Sequence, residues 1–158
     1  VDKAHEYEVQ VLRPATTGQE RHLIGLQPGA LIAVNGKTPI EGSSDPSFRG
    51  DPTRWNPEEL LLASLSACHK LWYLGLCAEA GVVVVAYEDN AQGTMVEESN
   101  GAGQFTSVIL RPKVILASGS EIEKAQMLHK IAHEKCFIAR SVNFPVSHAP
   151  EISIRPAT

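Results

Sequence analysis

The stretch that decides the fold is NPEELLLASLSACHKLWYLGLCAEAG, residues 56–81. Asn56 is a favoured N-cap type, Pro57 suits the first helical position, and Glu59 stands three residues after Asn56, as a capping box requires. Glu58 and Glu59 favour the positive end of the helix dipole. Good helix formers run without proline from Leu60 to Ala80, and Gly81 stands where a helix stops. At 1.5 Å per residue the element is about 35 Å long. Leu60, Leu61, Leu62, Leu65, Leu71, Trp72, Tyr73, Leu74 and Leu76 point all round the cylinder, so the helix is expected to be buried and covered on most sides. A membrane span would need the same length, but Ser64, Ser66, His69 and Lys70 lie mid-stretch and an ionisable pair at bilayer depth is costly. No membrane association is expected.

Working outward, the sequence before this helix reads as strands. HEYEVQVL, residues 5–12, alternates with His5, Tyr7, Val9 and Val11 on one face, which predicts a half-buried strand ending before Pro14. Thr16–Gln19 is turn-like, Arg21–Leu26 and Ala30–Val34 are strand candidates, and Asn35-Gly36 is a strong hairpin signal returning through Lys37 to Ile40. This is an N-terminal β-meander. GSSDPSFRGDPTR, residues 42–54, is loop by composition and carries Phe48, Arg49 and Arg54.

Beyond the helix, VVVVAYED is a β-branched run that predicts a strand. Gln92–Glu98 and Gln104–Leu110 flank SNGAG as a second hairpin, and Lys113–Ala117 extends that sheet. Ser120, with Glu123 three residues on, is expected to cap a second helix over EIEKAQMLHKIAHEKC, whose inward face would be Ile122, Ala125, Leu128, Ala132 and Cys136. Short terminal strands follow around Val142 and Ile152. Hairpins without regular βαβ alternation indicate an α+β fold. The 158 residues, 43% of them hydrophobic, suit one domain over 1–158.

Composition bounds the function. A formal charge of -4 and a pI near 5.9 argue against binding to nucleic acid or anionic membrane. The N-terminus has no apolar stretch of signal-peptide length, so a cytoplasmic location is expected. Three cysteines, Cys68, Cys77 and Cys136, do not form a secreted disulfide framework; in a reducing compartment such thiols are buried, metal-binding or chemically active.

Cys68 lies about three turns into its helix and Cys136 near the negative end of its own, so neither helix dipole activates a thiolate. Activation must come from a side chain, and Arg49 or Arg54 in the preceding loop are the candidates nearest in sequence. Glu58 could orient such an arginine through a bidentate contact. His129, His133 and Cys136, at i, i+4 and i+7, share a direction on the second helix. With Cys68 or His69 they would make a four-ligand metal site, the rival reading, while Cys77 is expected in the core.

Residues 56–69, NPEELLLASLSACH, and 133–146, HEKCFIARSVNFPV, resemble the two-cysteine signature of the OsmC/Ohr superfamily, the osmotically inducible and organic hydroperoxide resistance proteins. The resemblance covers nearly the whole chain and lies closer to the OsmC-like branch. It implies an OsmC-like fold in an interwoven homodimer and thiol-dependent reduction of organic hydroperoxides without a cofactor, the protein being reset by an external dithiol reductant. It matches Cys68 with the peroxidatic cysteine, Cys136 with the resolving cysteine and Glu58 with the carboxylate that holds the catalytic arginine. Arg49 fits the OsmC-like placement of that arginine, Arg54 lies nearer the helix, and Arg21 has the placement seen in the Ohr branch. His69 departs from the residue usual after the cysteine. The alternatives are a non-catalytic metal- or ligand-binding member using Cys68, His69, His133 and Cys136, and a structural dimer with buried thiols.

Overall fold

A computed structural model describes residues 3–13 and 29–156. Arg21, the turn at Thr16–Gln19 and the strand expected over Arg21–Leu26 lie outside the described residues. The chain divides into two compact units, Val1–Leu61 and Leu62–Thr158.

In the first unit, β1 (Gln10–Leu12), β2 (Ala30–Ala33) and β3 (Ile40–Gly42) form an antiparallel sheet in chain order, the expected meander. Asn35-Gly36 does turn the chain, with Gly36 at φ 77° and Lys37 N–H donating to Val34 O at 3.1 Å. The first strand is a correction: only three residues pair, and Tyr7, Val9 and Val11 are exposed rather than half-buried. Pairing reaches only β2, so nothing in the described part of the unit covers the alternating apolar face.

The long helix α1 (Pro57–Glu79) begins in this unit and continues into the second. Its start is the capping box the sequence predicts: Glu59 N–H donates to Asn56 Oδ1 at 2.8 Å and Asn56 N–H donates to Glu59 Oε2 at 3.2 Å. Its end is a Schellman turn, with Gly81 at φ 72°, Gly81 N–H on Ala78 O and Val82 N–H on Cys77 O. Within the chain, however, its buried residues are one stripe, Leu65, His69, Tyr73 and Cys77, and Leu71 is 70% exposed. The expectation of cover on most sides therefore fails for the single chain. By length and composition alone α1 would pass as a membrane span.

The second unit holds two three-stranded sheets, ordered β4-β7-β9 and β5-β6-β8. Here β4 is Val84–Asp89, β5 Gln92–Glu97, β6 Gly103–Leu110, β7 Pro112–Leu116, β8 Val146–His148 and β9 Glu151–Ile154. Each strand of one sheet runs on into a strand of the other, at Asn90–Ala91, at Arg111 and at Ala149–Pro150, so the two sheets meet along one crease. Pro112 and Pro150 explain why the ladders break there, since proline has no N–H to give. The crease is pinned by Arg111 N–H on Asp89 Oδ1 at 2.7 Å and Ala149 N–H on Leu110 O at 2.9 Å. The terminal strands pair in parallel, β8 with β6 and β9 with β7.

Helix α2 (Ile122–Lys135) is present, but Glu121 occupies its N-cap without a side-chain bond, so the capping box expected from Ser120 is not formed. Its buried face is Ala125, Leu128, His129 and Ala132, with Cys136 at the C-cap. Ile122, expected inside, is 43% exposed. Ala125, Leu128 and Ala132 pack with Tyr73 and Cys77 of α1, Val82, and the inward Val114 and Leu116 of β7 into the core, where Cys77 lies as predicted.

Candidate active site

In the first unit, residues 43–56 are far more ordered than their composition suggests. Asp45 accepts from both the backbone N–H and the hydroxyl of Ser47, Gly50 N–H donates to Asp45 O at 3.0 Å, and Asp51 N–H donates to Ser43 Oγ at 2.9 Å. The Ser47 bonds hold the Asp45 carboxyl below its usual range. A single 3-10 turn, Pro46–Phe48, then delivers Arg49 at φ 65°, ψ 26°, the only non-glycine among the described residues with a positive φ. An arginine has no intrinsic reason to take the left-handed region, so the surrounding turn imposes it. Gly50 follows because no other residue fits: a Cβ there would stand 1.6 Å from Ser44 O.

Arg49 is exposed, while Arg54 is occupied by Asp51 at 3.5 Å. Glu58 Oε2 is buried without a partner, and no ion pair joins Glu58 to Arg49 or Arg54 among the described residues. The bidentate contact expected of Glu58 is therefore not made within this unit.

In the second unit, α1 and α2 lie antiparallel along their buried stripes, so Cys68 meets Cys136 while Tyr73 meets His129. All three cysteines are reduced; Cys68 is partly exposed and Cys136 buried. Burial, then the hydrogen bond of the neighbouring Cys68 thiol, push the Cys136 thiol up to about 11, against the backbone N–H of Ala139 that Cys136 Sγ accepts at 3.4 Å. The pair is unequal: one thiol faces outward and the other is held as a neutral thiol behind it.

Beside the pair lies a cluster only half legible in the sequence. His69 and His129 are fully buried, their Nε2 and Nδ1 atoms 3.0 Å apart. Their rings are within 5° of parallel and their centroids 5.3 Å apart, so the nitrogens lie between the centroids in a head-on N–H···N bond rather than in a stack of faces. The face of His129 lies instead on Tyr73, at 3.7 Å. His148, the last residue of β8, brings a fourth ring, 5.4 Å from His69 and 5.2 Å from His133. Three buried imidazole nitrogens, His69 Nδ1, His129 Nε2 and His133 Nδ1, have no hydrogen-bond partner. Burial, then the charges of His148 and His133, lower His69 to about 4; burial, then His69 and His148, lower His129 to about 3. Both rings are neutral at pH 7.

The structure thus brings Cys68 together with Cys136, and His69 together with His129 and His133. Sequence reasoning missed His148 and the platform of Tyr73. No group of three or more His, Cys, Asp or Glu side chains among the described residues is arranged to hold a metal ion, which leaves the four-ligand set of Cys68, His69, His133 and Cys136 without geometric support.

The OsmC-like protein family model matches residues 50–151, which includes the helix pair and both thiols. The chain belongs to the OsmC-like family. Among solved structures, an OsmC-like protein of unknown function from Vibrio cholerae is 28% identical, with a TM-score of 0.79 over 92% of this chain and all of that one. An organic hydroperoxide resistance protein from Elizabethkingia anophelis is 20% identical, with a TM-score of 0.67 over 97% of this chain and all of that one. An organic hydroperoxide resistance protein OsmC from Legionella pneumophila shares 14% identity, with a TM-score of 0.65 over 97% and 100% of the two chains. The last two likenesses establish the α+β OsmC-like fold alone. No curated protein matches the sequence.

Proposed function

We propose that this OsmC-like protein is a cysteine-based peroxidase that reduces organic hydroperoxides to alcohols. The observation that carries the reading is the unequal thiol pair, Cys68 partly exposed and Cys136 buried beside it with its proton retained. The Cys68 sulfur attacks the distal oxygen of ROOH, the O–O bond breaks, and the alkoxide takes a proton and leaves as ROH. The sulfenic acid on Cys68 is then attacked by the Cys136 sulfur; the S–O bond breaks, water leaves with the Cys136 proton, and a disulfide forms before over-oxidation. An external dithiol returns the two electrons. The reading assigns Arg49 to polarise the peroxide and Glu58 to hold an arginine, its buried and unpartnered Oε2 supporting such a role.

The apolar flank of α1 supports a homodimer. Leu71 and Phe137 are largely exposed, Trp72 meets Phe137 edge-on at 5.6 Å, and Leu71, Trp72, Gly75 and Leu76 line a groove of about 300 Å³. An apolar setting also favours alkyl over hydrogen peroxide. Rapid mixing of the reduced protein with cumene hydroperoxide and with hydrogen peroxide, counting free thiols, tests the reading. Two thiols should be lost, faster with cumene hydroperoxide; thiols that survive both oxidants would overturn it.

A further inference from the structure

The backbone that follows α2 folds around the Cys136 sulfur. Cys136 ends α2 with an extended backbone, φ -66° and ψ 109°. Its C=O accepts the Arg140 N–H at 3.1 Å, and its Sγ accepts the Ala139 N–H at 3.4 Å. Those are the two bonds that an N-cap residue makes to the turn it opens, with sulfur standing where serine or threonine ordinarily puts a hydroxyl. The turn is held by bonds of its own: the Ser141 N–H donates to Ile138 O at 3.0 Å and the Ser141 hydroxyl to Phe137 O at 2.7 Å. The Ala139 N–H is thus aimed at Sγ by backbone whose other bonds do not involve the thiol.

As a cap this is a poor arrangement for a neutral thiol, whose sulfur is a weak acceptor. A thiolate is a charged acceptor and takes such bonds roughly twice as strongly. The bond therefore favours the ionised form of Cys136, and it opposes burial and the neighbouring Cys68 thiol, which favour the protonated one. Access decides when that preference matters. Cys136 is 1% exposed and Cys68 is partly exposed, so a thiolate from solvent reaches a disulfide of the two through the Cys68 sulfur. Cys136 is then the group that must leave.

We propose that the Ala139 N–H is a catalytic donor that receives the Cys136 thiolate as it leaves, when an external dithiol attacks the Cys68 sulfur. One thiolate of the dithiol bonds to Cys68 Sγ, the bond between Cys68 and Cys136 breaks, and its electron pair goes to Cys136 Sγ against that N–H. The second thiolate of the reductant attacks the reductant sulfur carried by Cys68. Cys68 leaves as a thiolate, and the reductant departs as a cyclic disulfide. The dithiol loses two electrons, the protein disulfide gains them, and the two protons of the dithiol pass by way of solvent to the two cysteines. The proposal rests on the pairing of Cys68 with Cys136 in the reading above, but not on a peroxide having joined them.

That difference allows a peroxide-free test on a Cys77→Ser background, with the disulfide formed by diamide. Glutathione, a monothiol that stops at the first step, is added; the mixture is quenched in acid, freed thiols are capped with N-ethylmaleimide, and both labels are mapped by mass spectrometry. Glutathione on Cys68 with the cap on Cys136 is the expected result, and glutathione on Cys136 overturns the proposal. Failure of diamide to join Cys68 to Cys136 overturns the pairing and the proposal with it. A diamide disulfide in a protein whose thiols survive cumene hydroperoxide overturns the peroxidase reading and leaves the mapping result standing. The donor itself is tested by Ala139→lactic acid, an ester that keeps the methyl side chain and removes this N–H. Glutathione attack on the disulfide should slow about tenfold at pH 7. In a Cys68→Ser, Cys77→Ser protein, the thiolate absorbance of Cys136 should titrate about one pH unit higher with the ester than with the amide. Attack at the parent's rate, or an unchanged midpoint, overturns the role of Ala139. Equal slowing of Cys68 alkylation in the reduced ester protein does so too, since it reports damage to the turn rather than loss of a donor.

Discussion

The loop that carries Arg49 and the helix pair that carries the thiols treat buried polar groups in opposite ways. In the loop, the buried Ser43 and Asn56 and the half-buried Asp45 and Asp51 are each matched to a backbone or side-chain partner within the stretch 43–59. Between the helices, His69, His129 and His133 each keep a buried nitrogen that nothing matches. Satisfied polar groups fix a conformation, here the left-handed Arg49. Unsatisfied ones cost stability and persist where protons or ligands need them. The first region thus fixes a charged side chain in place, and the second keeps neutral imidazoles out of water.

The largest effect expected from this contrast is acid sensitivity. His69 and His129 are depressed to about 4 and about 3 in the folded chain from the ordinary 6.5. Above pH 6.5 neither state binds these protons and stability is at its full value. Between pH 6.5 and 4 the unfolded chain takes them up while the folded chain largely does not, so stability falls as the pH falls, by on the order of 6 kcal/mol for the two rings together. Urea unfolding across this window measures the slope, and a midpoint that stays constant from pH 7 to 4.5 would break the comparison. In the loop the corresponding test is steric. Gly50→Ala drives a Cβ onto the Ser44 carbonyl, and a loss of about 3 kcal/mol is expected by thermal or urea unfolding.

A smaller, functional effect sharpens the role of the loop. Arg49→Lys keeps the charge but loses the planar fork, and the reaction of Cys68 with cumene hydroperoxide should slow about a hundredfold. Arg54→Lys, whose parent side chain already pairs with Asp51, should react like the parent. Equal rates for Arg49→Lys and the parent would move the assignment to Arg21.

Features set by local chemistry were legible in the sequence. Asn56, Glu59 and Gly81 specify both ends of α1, and the spacing of His129, His133 and Cys136 places them on one face of α2. What escaped depends on pairings distant along the chain. His148 joins the cluster only because β8 pairs in parallel with β6, placing His148 opposite Leu110 at the crease. Apolarity alone selects Ile122 for the inner face of α2 and passes over His129, yet Ile122 is exposed at the first turn and His129 is fully buried. Ser120 and Glu123 have capping-box spacing, but the helix begins at Ile122 with Glu121 as its cap, one residue too late for Ser120 to serve.

The central claim is that Cys68 and Cys136 are one redox unit and Cys77 is not part of it. It is tested most directly by treating the reduced protein with one equivalent of cumene hydroperoxide, digesting without reductant, and mapping the disulfides by mass spectrometry. A Cys68–Cys136 bridge with Cys77 still alkylatable is the expected result, and Cys136→Ser should stop at a sulfenic acid and then over-oxidise with excess peroxide. A Cys68–Cys77 bridge, or three intact thiols, would contradict the account.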